Sequence, residues 1–126
     1  MKTCSILVVD DEPDIRDLLG RMLKAAGHQV VCVGNGLEAT KAMTQHTIDV
    51  VLTDLLMPDK DGIEVITEIR RKYPAVRLIA MSGGGHVPRG QYLHIAKGLG
   101  AHALLAKPFE RQELLDAIAS VLPSTV

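Results

Sequence analysis

Aromatic residues are scarce in this sequence, which has no tryptophan, two tyrosines and one phenylalanine among its 126 residues. Proteins that bind single-stranded nucleic acid commonly stack the bases on aromatic side chains, so the composition disfavours that class. Hydrophobic residues still make up 47% of the chain, which favours a folded protein over a disordered one. We therefore predict a core built from valine, isoleucine, leucine, methionine and alanine.

Neither sign of charge is in excess, because 14 basic side chains face 15 acidic ones and the formal net charge is −1. Proteins that bind DNA or an anionic membrane usually carry surplus basic residues that neutralise phosphate groups. We therefore expect no direct DNA binding and expect the output to be a contact with another protein.

Long apolar runs are also missing. No stretch approaches the about 20 residues that span a bilayer, and the run Ile6–Val9 is too short for the core of a signal peptide. The two cysteines, Cys4 and Cys32, have neither CxxC nor any other metal-ligand spacing, which favours reduced thiols. We expect a cytoplasmic protein that does not insert into membranes.

Short apolar runs alternate five times with segments of helical period. The predicted strands are Ser5–Val9, Gln29–Val33, Val50–Thr53, Arg77–Met81 and Ala103–Leu105. Several are continuous apolar runs, which is typical of parallel strands covered on both faces. The pattern predicts an α/β fold, a doubly wound five-stranded parallel sheet with helices on both faces. We expect a single domain over residues 1–126 and no output domain.

The helical segments carry apolar residues three and four positions apart, the spacing of one helix face. The predicted buried faces are Ile15, Leu18, Leu19, Met22 and Leu23; Tyr92, Ile95, Ala96 and Leu99; and Leu115, Ile118, Ala119 and Leu122. Segments 39–43 and 65–69 are weaker but helical in composition.

Chemically versatile residues follow the predicted strands. Asp10 and Asp11 follow the first strand, Asp54 the third, Ser82 the fourth and Lys107 the fifth. Ligands of open α/β sheets bind at the carboxyl ends of the strands, so these side chains should meet. Clustered carboxylates repel one another unless a cation lies among them, and an oxygen-only donor set suits Mg²⁺ rather than zinc. A carboxylate can also act as a nucleophile and form an aspartyl-phosphate. Asp54 is the best candidate, since it stands alone between the first-strand acids and the lysine.

Each of these features has an ordinary structural explanation when taken alone. The acids before Pro13 could be a helix N-terminus, Asp54 to Asp59 a proline-directed turn, and Gly83–Gly85 a connecting loop. Lys107 could be a surface lysine before a proline. A coincidence of all four at one sheet edge is the weaker explanation.

As a set, these residues resemble the receiver domain of two-component response regulators. The resemblance covers essentially the whole chain and rests on the segments Ile6–Glu12, Asp54–Gly62, Ser82–Gly83, Gly100–Ala101 and Lys107–Phe109. It implies a flavodoxin-like strand order, 2-1-3-4-5. It also implies a phosphorylatable signalling switch rather than an enzyme that turns over an independent substrate.

The resemblance also assigns roles to the site residues. Asp54 would accept the phosphoryl group, Ser82 would contact that group and Lys107 would pair with it. Asp11, Asp54 and the backbone carbonyl of Leu56 would ligate Mg²⁺, or Mn²⁺ in its place, with support from Asp10. The Lys107–Pro108 peptide would be cis. The phosphodonor would be a histidine kinase or a histidine phosphotransfer protein, and the downstream protein target stays unidentified.

Two features depart from the family pattern. Leu104 occupies the position where receivers usually carry the Tyr or Phe that reports phosphorylation, and the glycine-rich loop Gly84–Gln91 is longer than usual. We expect the phosphorylation chemistry to survive both changes, and we expect phosphorylation to be reported mainly by ordering or repositioning of this loop and of the helix start near Tyr92.

Three other functions compete with this interpretation of the sequence. A nucleotide-binding enzyme lacks support, because neither GxGxxG nor GxxxxGK[ST] occurs. A phosphatase with a DxD nucleophile motif is disfavoured, since Leu56 stands where the second acid would be. A receiver-like binding module that is never phosphorylated remains the alternative, and the intact set of acids, serine and lysine argues against it.

Overall fold

Alternating strands and helices make up the protein, whose computed structural model describes residues 3–55, 62–82, 98 and 100–123. In chain order the elements are β1 (Ser5–Val9), α1 (Pro13–Ala25), β2 (Gln29–Val33), α2 (Gly36–Gln45), β3 (Val50–Asp54), α3 (Gly62–Lys72), β4 (Arg77–Ser82), β5 (Ala103–Ala106) and α4 (Arg111–Val121). The helix predicted around Tyr92–Leu99 falls almost wholly outside the described residues.

The five strands form one sheet in the order β2-β1-β3-β4-β5, and every neighbouring pair is parallel. The predicted fold class and strand order are confirmed. All five strand starts match the sequence prediction, but the last three strands each run one residue further than predicted. Asp54 pairs with Met81 and Ser82 with Ala106, so two polar side chains at the site belong to the sheet itself.

Both faces of the sheet are covered. Successive strand residues point to opposite faces, and β1 contributes Leu7 and Val9 to one core cluster and Ile6 and Val8 to the other. The first cluster includes residues of α2 and α3, and the second includes residues of α1 and α4. An aliphatic core on each side holds the inner strands, and β3 is buried along its whole length.

The face predicted for α1 is only partly buried. Leu19 and Leu23 are buried, whereas Leu18 is 48% exposed. Apolar spacing shows which residues share a stripe, but only one row of this stripe meets the sheet. The other row, formed by Ile15, Leu18 and Met22, lines an open groove together with residues 107–109.

The buried face predicted for α4 is wrong by one position at each end, where Leu115 and Leu122 were expected in place of Leu114 and Val121. Leu114, Ile118 and Val121 are the buried residues, while Ala119 is exposed. Two apolar rows run along this helix, and the sequence spacing does not tell which row faces the sheet. Among the described residues, no helix is long and apolar enough to cross a membrane.

Candidate functional site

Three carboxylates meet at the carboxyl edge of strands β1 and β3. Asp10 directly follows β1 and Asp54 ends β3, and these strands are neighbours in the sheet. Asp10, Asp11 and Asp54 each present a carboxylate oxygen, and these oxygens all lie within 4.8 Å of one another. Asp10 and Asp54 are buried, whereas Asp11 is exposed to solvent. The strand order therefore produces an acidic pocket that is open on the side of Asp11.

Lys107 reaches this pocket from the residues that follow β5. Its Nζ lies 2.8 Å from Oδ2 of Asp10 and 3.2 Å from Oδ2 of Asp54. Burial alone would lower the pKa of Lys107, but its hydrogen bond to Asp10 and the charges of Asp54 and Asp10 hold that pKa above its usual value. The lysine is therefore a fixed positive charge that joins two buried carboxylates.

Backbone contacts set the position of Lys107 as well. Its N–H donates to the carbonyl of Ser82 at 2.8 Å, which continues the β4–β5 pairing by one residue. The Lys107–Pro108 peptide is cis, as expected from the resemblance.

The turn that follows β1 separates the roles of its two aspartates. The N–H of Glu12 donates to Oδ1 of Asp10 at 2.9 Å, and the N–H of Asp10 donates to the carbonyl of Val33 at 3.2 Å. Both carboxylate oxygens of Asp10 thus have partners within the protein, because Lys107 contacts the other one. Asp11 is left as the solvent-facing acid.

Ser82 ends β4 at the same edge of the sheet. Ser82 is only 1% exposed, and its Oγ has no hydrogen-bond partner among the described residues. A buried hydroxyl without a partner is costly unless a ligand or water satisfies it. Ser82 is therefore suited to contact an oxygen-rich group bound in the pocket.

Sequence reasoning did not find the role of Gly62. A Cβ atom at this position would overlap the carbonyl oxygen of Asp54, because α3 starts directly against the end of β3. The N–H of Gly62 also donates to the carbonyl of Leu55 at 3.2 Å. The close approach requires glycine. Gly62 ends the segment Asp54–Gly62 that carries the family resemblance, but that pattern does not show the contact that explains it.

Two predicted parts of the site lie outside the described residues: Leu56, the expected carbonyl ligand, and the loop Gly84–Gln91. Leu104, at the position where the family usually has an aromatic ring, is partly buried and packs against the core cluster shared with α2 and α3. It pairs with Ala80 in the β4–β5 ladder.

The donor set fits a divalent cation that prefers oxygen. Three carboxylates outnumber the Lys107 ammonium, so the pocket has an excess of formal negative charge. All three donors are oxygens, which is the ligand type that Mg²⁺ prefers. The acidic pocket is therefore compatible with Mg²⁺.

Comparison with known proteins identifies the family. Residues 6–119 match the family model described as the response regulator receiver domain. The chain belongs to this family, so it is a receiver domain of two-component signalling. Receiver domains are signalling switches, and the acidic pocket is consistent with phosphoryl acceptance.

Individual relatives support the same assignment. The chain is 36% identical over 118 residues to sporulation initiation phosphotransferase F of Bacillus subtilis, covering 94% of this chain and 93% of that protein. Two longer matched relatives are transcriptional regulatory proteins, and the chain spans 27% of each.

Solved structures agree in fold. The chemotaxis protein CheY4 of Vibrio cholerae superposes with a TM-score of 0.86 at 28% identity, covering 96% of this chain and 100% of that one. The response regulator TrrA of Thermotoga maritima, solved in complex with Mg²⁺ and BeF, superposes with a TM-score of 0.82 at 32% identity, covering 94% and 99% of the two chains.

Proposed function

We propose that this chain is a phosphorylation switch in which Asp54 accepts a phosphoryl group from a phosphohistidine. The observation that carries the proposal is the placement of Asp54 at the end of β3, within hydrogen-bond reach of Lys107 and beside Asp10 and Asp11. A carboxylate held against a lysine ammonium is suited to receive a group whose oxygens carry negative charge.

In the transfer step, the phosphoryl group passes from the donor imidazole to the carboxylate of Asp54. A carboxylate oxygen of Asp54 forms a bond to phosphorus while the bond from phosphorus to the donor imidazole nitrogen breaks, and the freed imidazole takes up a proton. Asp54 then no longer carries its carboxylate charge. Lys107 can turn to the phosphoryl oxygens, and Asp10 keeps its ammonium in place through the 2.8 Å contact.

Ser82 would take the second contact to the phosphoryl group. Its buried Oγ can donate a hydrogen bond to a phosphoryl oxygen and would thereby gain a partner. Phosphorylation would in this way be coupled to the end of β4.

Mg²⁺ would be held by Asp11 and Asp54 together with the carbonyl of Leu56, with Asp10 in support, and Mn²⁺ would suit the same oxygen donors. When bound, the metal neutralises charge on the phosphoryl oxygens. The complex of TrrA with Mg²⁺ and BeF supports this assignment.

A histidine kinase or a histidine phosphotransfer protein would supply the phosphoryl group, and an unidentified protein would read the result. The name of the Bacillus subtilis relative, a phosphotransferase, supports a place in a phosphorelay. The coverage of that relative also supports one receiver domain over residues 1–126.

Incubation with acetyl phosphate and Mg²⁺, followed by intact-mass measurement, tests the proposal. The wild-type protein should gain one phosphoryl group, Asp54→Asn should gain none, and the control Asp116→Asn on the surface of α4 should behave as wild type. Labelling of Asp54→Asn would show that a residue other than Asp54 accepts the phosphoryl group. Absence of labelling in the wild type would favour the binding module that is never phosphorylated.

A further inference from the structure

Arg16 of α1 contacts the backbone of the turn between β1 and α1, which carries Asp10 and Asp11. Its Nη1 donates to the carbonyl oxygen of Asp10 at 2.9 Å. That carbonyl belongs to the peptide group that joins Asp10 to Asp11, the two first-strand acids of the pocket. A partly buried guanidinium therefore holds the peptide that sets the separation of these two side chains.

Gly34, just after β2, provides the space for this contact. A Cβ atom at this position would lie 2.8 Å from Nη1 of Arg16. The backbone itself does not demand glycine here, because the described glycines with positive φ are Gly27 and Gly100. A side chain at position 34 would thus be compatible with the backbone but would displace the end of the arginine.

The contact completes the fixation of Asp10. Its N–H donates to the carbonyl of Val33, and its carbonyl accepts from Arg16. Its carboxylate accepts from the backbone N–H of Glu12 and from the ammonium of Lys107. Groups that orient metal ligands from outside the coordination shell commonly change metal affinity when they are removed. The positive charge of Arg16 also lies close to a cluster of carboxylates that repel one another.

We propose that Arg16 is a positioning residue that fixes the peptide between Asp10 and Asp11 and thereby sets the affinity of the pocket for Mg²⁺ and the rate at which Asp54 accepts a phosphoryl group. This inference rests on the proposed function. The competing explanation is that Arg16 only anchors the start of α1 to the sheet, in which case its loss would change stability alone.

Four variants separate the two explanations. Arg16→Met removes the charge and the donors but keeps the bulk, and Arg16→Lys keeps the charge. Gly34→Ala displaces the guanidinium without changing any group of the pocket. Arg21→Met is the matched control, since Arg21 lies on the same helix and its side chain is 79% exposed in a surface pair with Asp17.

The measurements are the Mg²⁺ dissociation constant by calorimetry, the rate of Asp54 labelling by acetyl phosphate at saturating Mg²⁺, and the melting temperature. We expect Arg16→Met to raise the dissociation constant by about tenfold and to slow labelling. Arg16→Lys should recover part of both losses, and Arg21→Met should match wild type. Gly34→Ala should resemble Arg16→Met, and the double variant should be no worse than Arg16→Met alone, because both changes remove one contact.

The inference fails if Arg16→Met and Gly34→Ala lower the melting temperature while the Mg²⁺ dissociation constant stays at the wild-type value. It also fails if the effects of the two substitutions simply add. Should Arg16→Met not fold, Gly34→Ala decides by itself. If the wild type is not labelled by acetyl phosphate, the proposed function fails, but calorimetry with Mg²⁺ still decides the role of Arg16.

Discussion

Lys107 is the residue whose charge serves both the fold and the proposed chemistry. It compensates Asp10, which is fully buried, and Asp54, which is nearly so. Removing one partner of a buried ion pair leaves the other charge without compensation, and this is more costly than the pair itself is stabilising.

We therefore predict that Lys107→Met lowers the free energy of unfolding at neutral pH by about 3 kcal/mol in the absence of metal. Mg²⁺ should restore part of the loss, since a bound cation again compensates the acids. Because the pKa of Lys107 is raised above 10.5, its contribution is complete below that value and is lost as the pH rises beyond it. Urea unfolding followed by circular dichroism, with and without Mg²⁺, measures these quantities.

The control for this experiment is Lys72→Met, which removes an exposed pair with Glu68. Such a pair typically contributes less than about 1 kcal/mol. Equal losses in the two variants, or a Lys107→Met deficit that Mg²⁺ leaves unchanged, would contradict the compensating role of Lys107.

Asp11 is the exposed acid of the pocket, so its substitution should affect metal binding more than folding. We predict that Mg²⁺ raises the melting temperature of the wild type and that Asp11→Ala loses most of this rise. Without metal, the variant should be as stable as wild type or slightly more so, because one repelling carboxylate is gone. Asp14→Ala, which removes a nearby acid in the first turn of α1, should keep the wild-type response.

At the level of elements, a histidine beside each of the two edge strands, β2 and β5, makes the same kind of hydrogen bond. His28 precedes β2 and His102 precedes β5, and the Nδ1 of each accepts a hydrogen bond from a backbone N–H of the neighbouring chain segment, which is the residue just before β1 for His28 and a residue of β4 for His102. The donors are the N–H of Cys4 at 3.1 Å and the N–H of Leu78 at 3.0 Å. Each contact needs a neutral ring with an unprotonated Nδ1.

Protonation of either histidine would break its contact. Burial lowers the pKa of His28, with Cys4 as its titratable neighbour. Although His102 is exposed as a residue, desolvation of its ring beside the N–H of Leu78 and the charges of Arg77 and Arg70 lower its pKa. Both pKa values lie below the usual 6.5, so the unfolded chain binds protons first, and the stabilisation present above 6.5 is lost as the pH falls through the folded values.

We predict that the melting temperature falls more steeply between pH 7 and 5 in the wild type than in His28→Asn/His102→Asn. The Oδ1 of asparagine is an acceptor separated from Cα by the same number of bonds as the Nδ1 of histidine, but asparagine does not titrate in this range. His28 should account for most of the difference, about 4 °C, because it is buried whereas His102 is exposed.

The exposed His46 provides the control, and His46→Asn should keep the wild-type slope. A double variant with the same slope as wild type would show that the two contacts do not respond to pH. A flattened slope in His46→Asn would point instead to a general charge effect.

The elements also show how far the sequence reaches. Strand starts were predicted correctly because each lies at the first residue of an apolar run or one residue before it. The ends of β1 and β2 were also correct, but β3, β4 and β5 each run one residue further, since Asp54 and Ser82 continue the hydrogen-bond ladder although they are polar. Helix faces were predicted less well, because apolar spacing identifies a stripe without showing which of its rows meets the sheet.

The site follows the same division. Parallel strands bring their carboxyl ends to one edge, so the meeting of Asp10, Asp54 and Lys107 could be anticipated from topology. The contacts of Arg16 and Gly62 depend on how closely two elements approach each other, and the local sequence pattern has no signal for that distance. The roles of Leu56 and of the loop Gly84–Gln91 stay predictions.

For the whole molecule, the balance of charge bears on its partners. With 14 basic and 15 acidic side chains, and with part of its acidity concentrated in one pocket, the chain has no surplus with which to neutralise DNA phosphates. We predict that the 126-residue chain does not bind duplex DNA at physiological ionic strength. Fluorescence anisotropy with labelled DNA over a salt series tests this, and salt-sensitive binding in the micromolar range would contradict it.

The contact between Lys107 and Asp10 joins residues 97 positions apart, which ties the pocket to the course of folding. A ribosome releases β1 to β4 first, so the acids of β1 and β3 can come together before the lysine has been synthesised. Contacts between distant parts of a chain also form late, because closing a long loop costs entropy. A nascent chain that ends before Lys107 would thus lack the ammonium group that pairs with Asp10 and Asp54. The set of groups proposed for phosphoryl transfer would then be complete only after β5 has docked against β4 and brought Lys107 to the pocket.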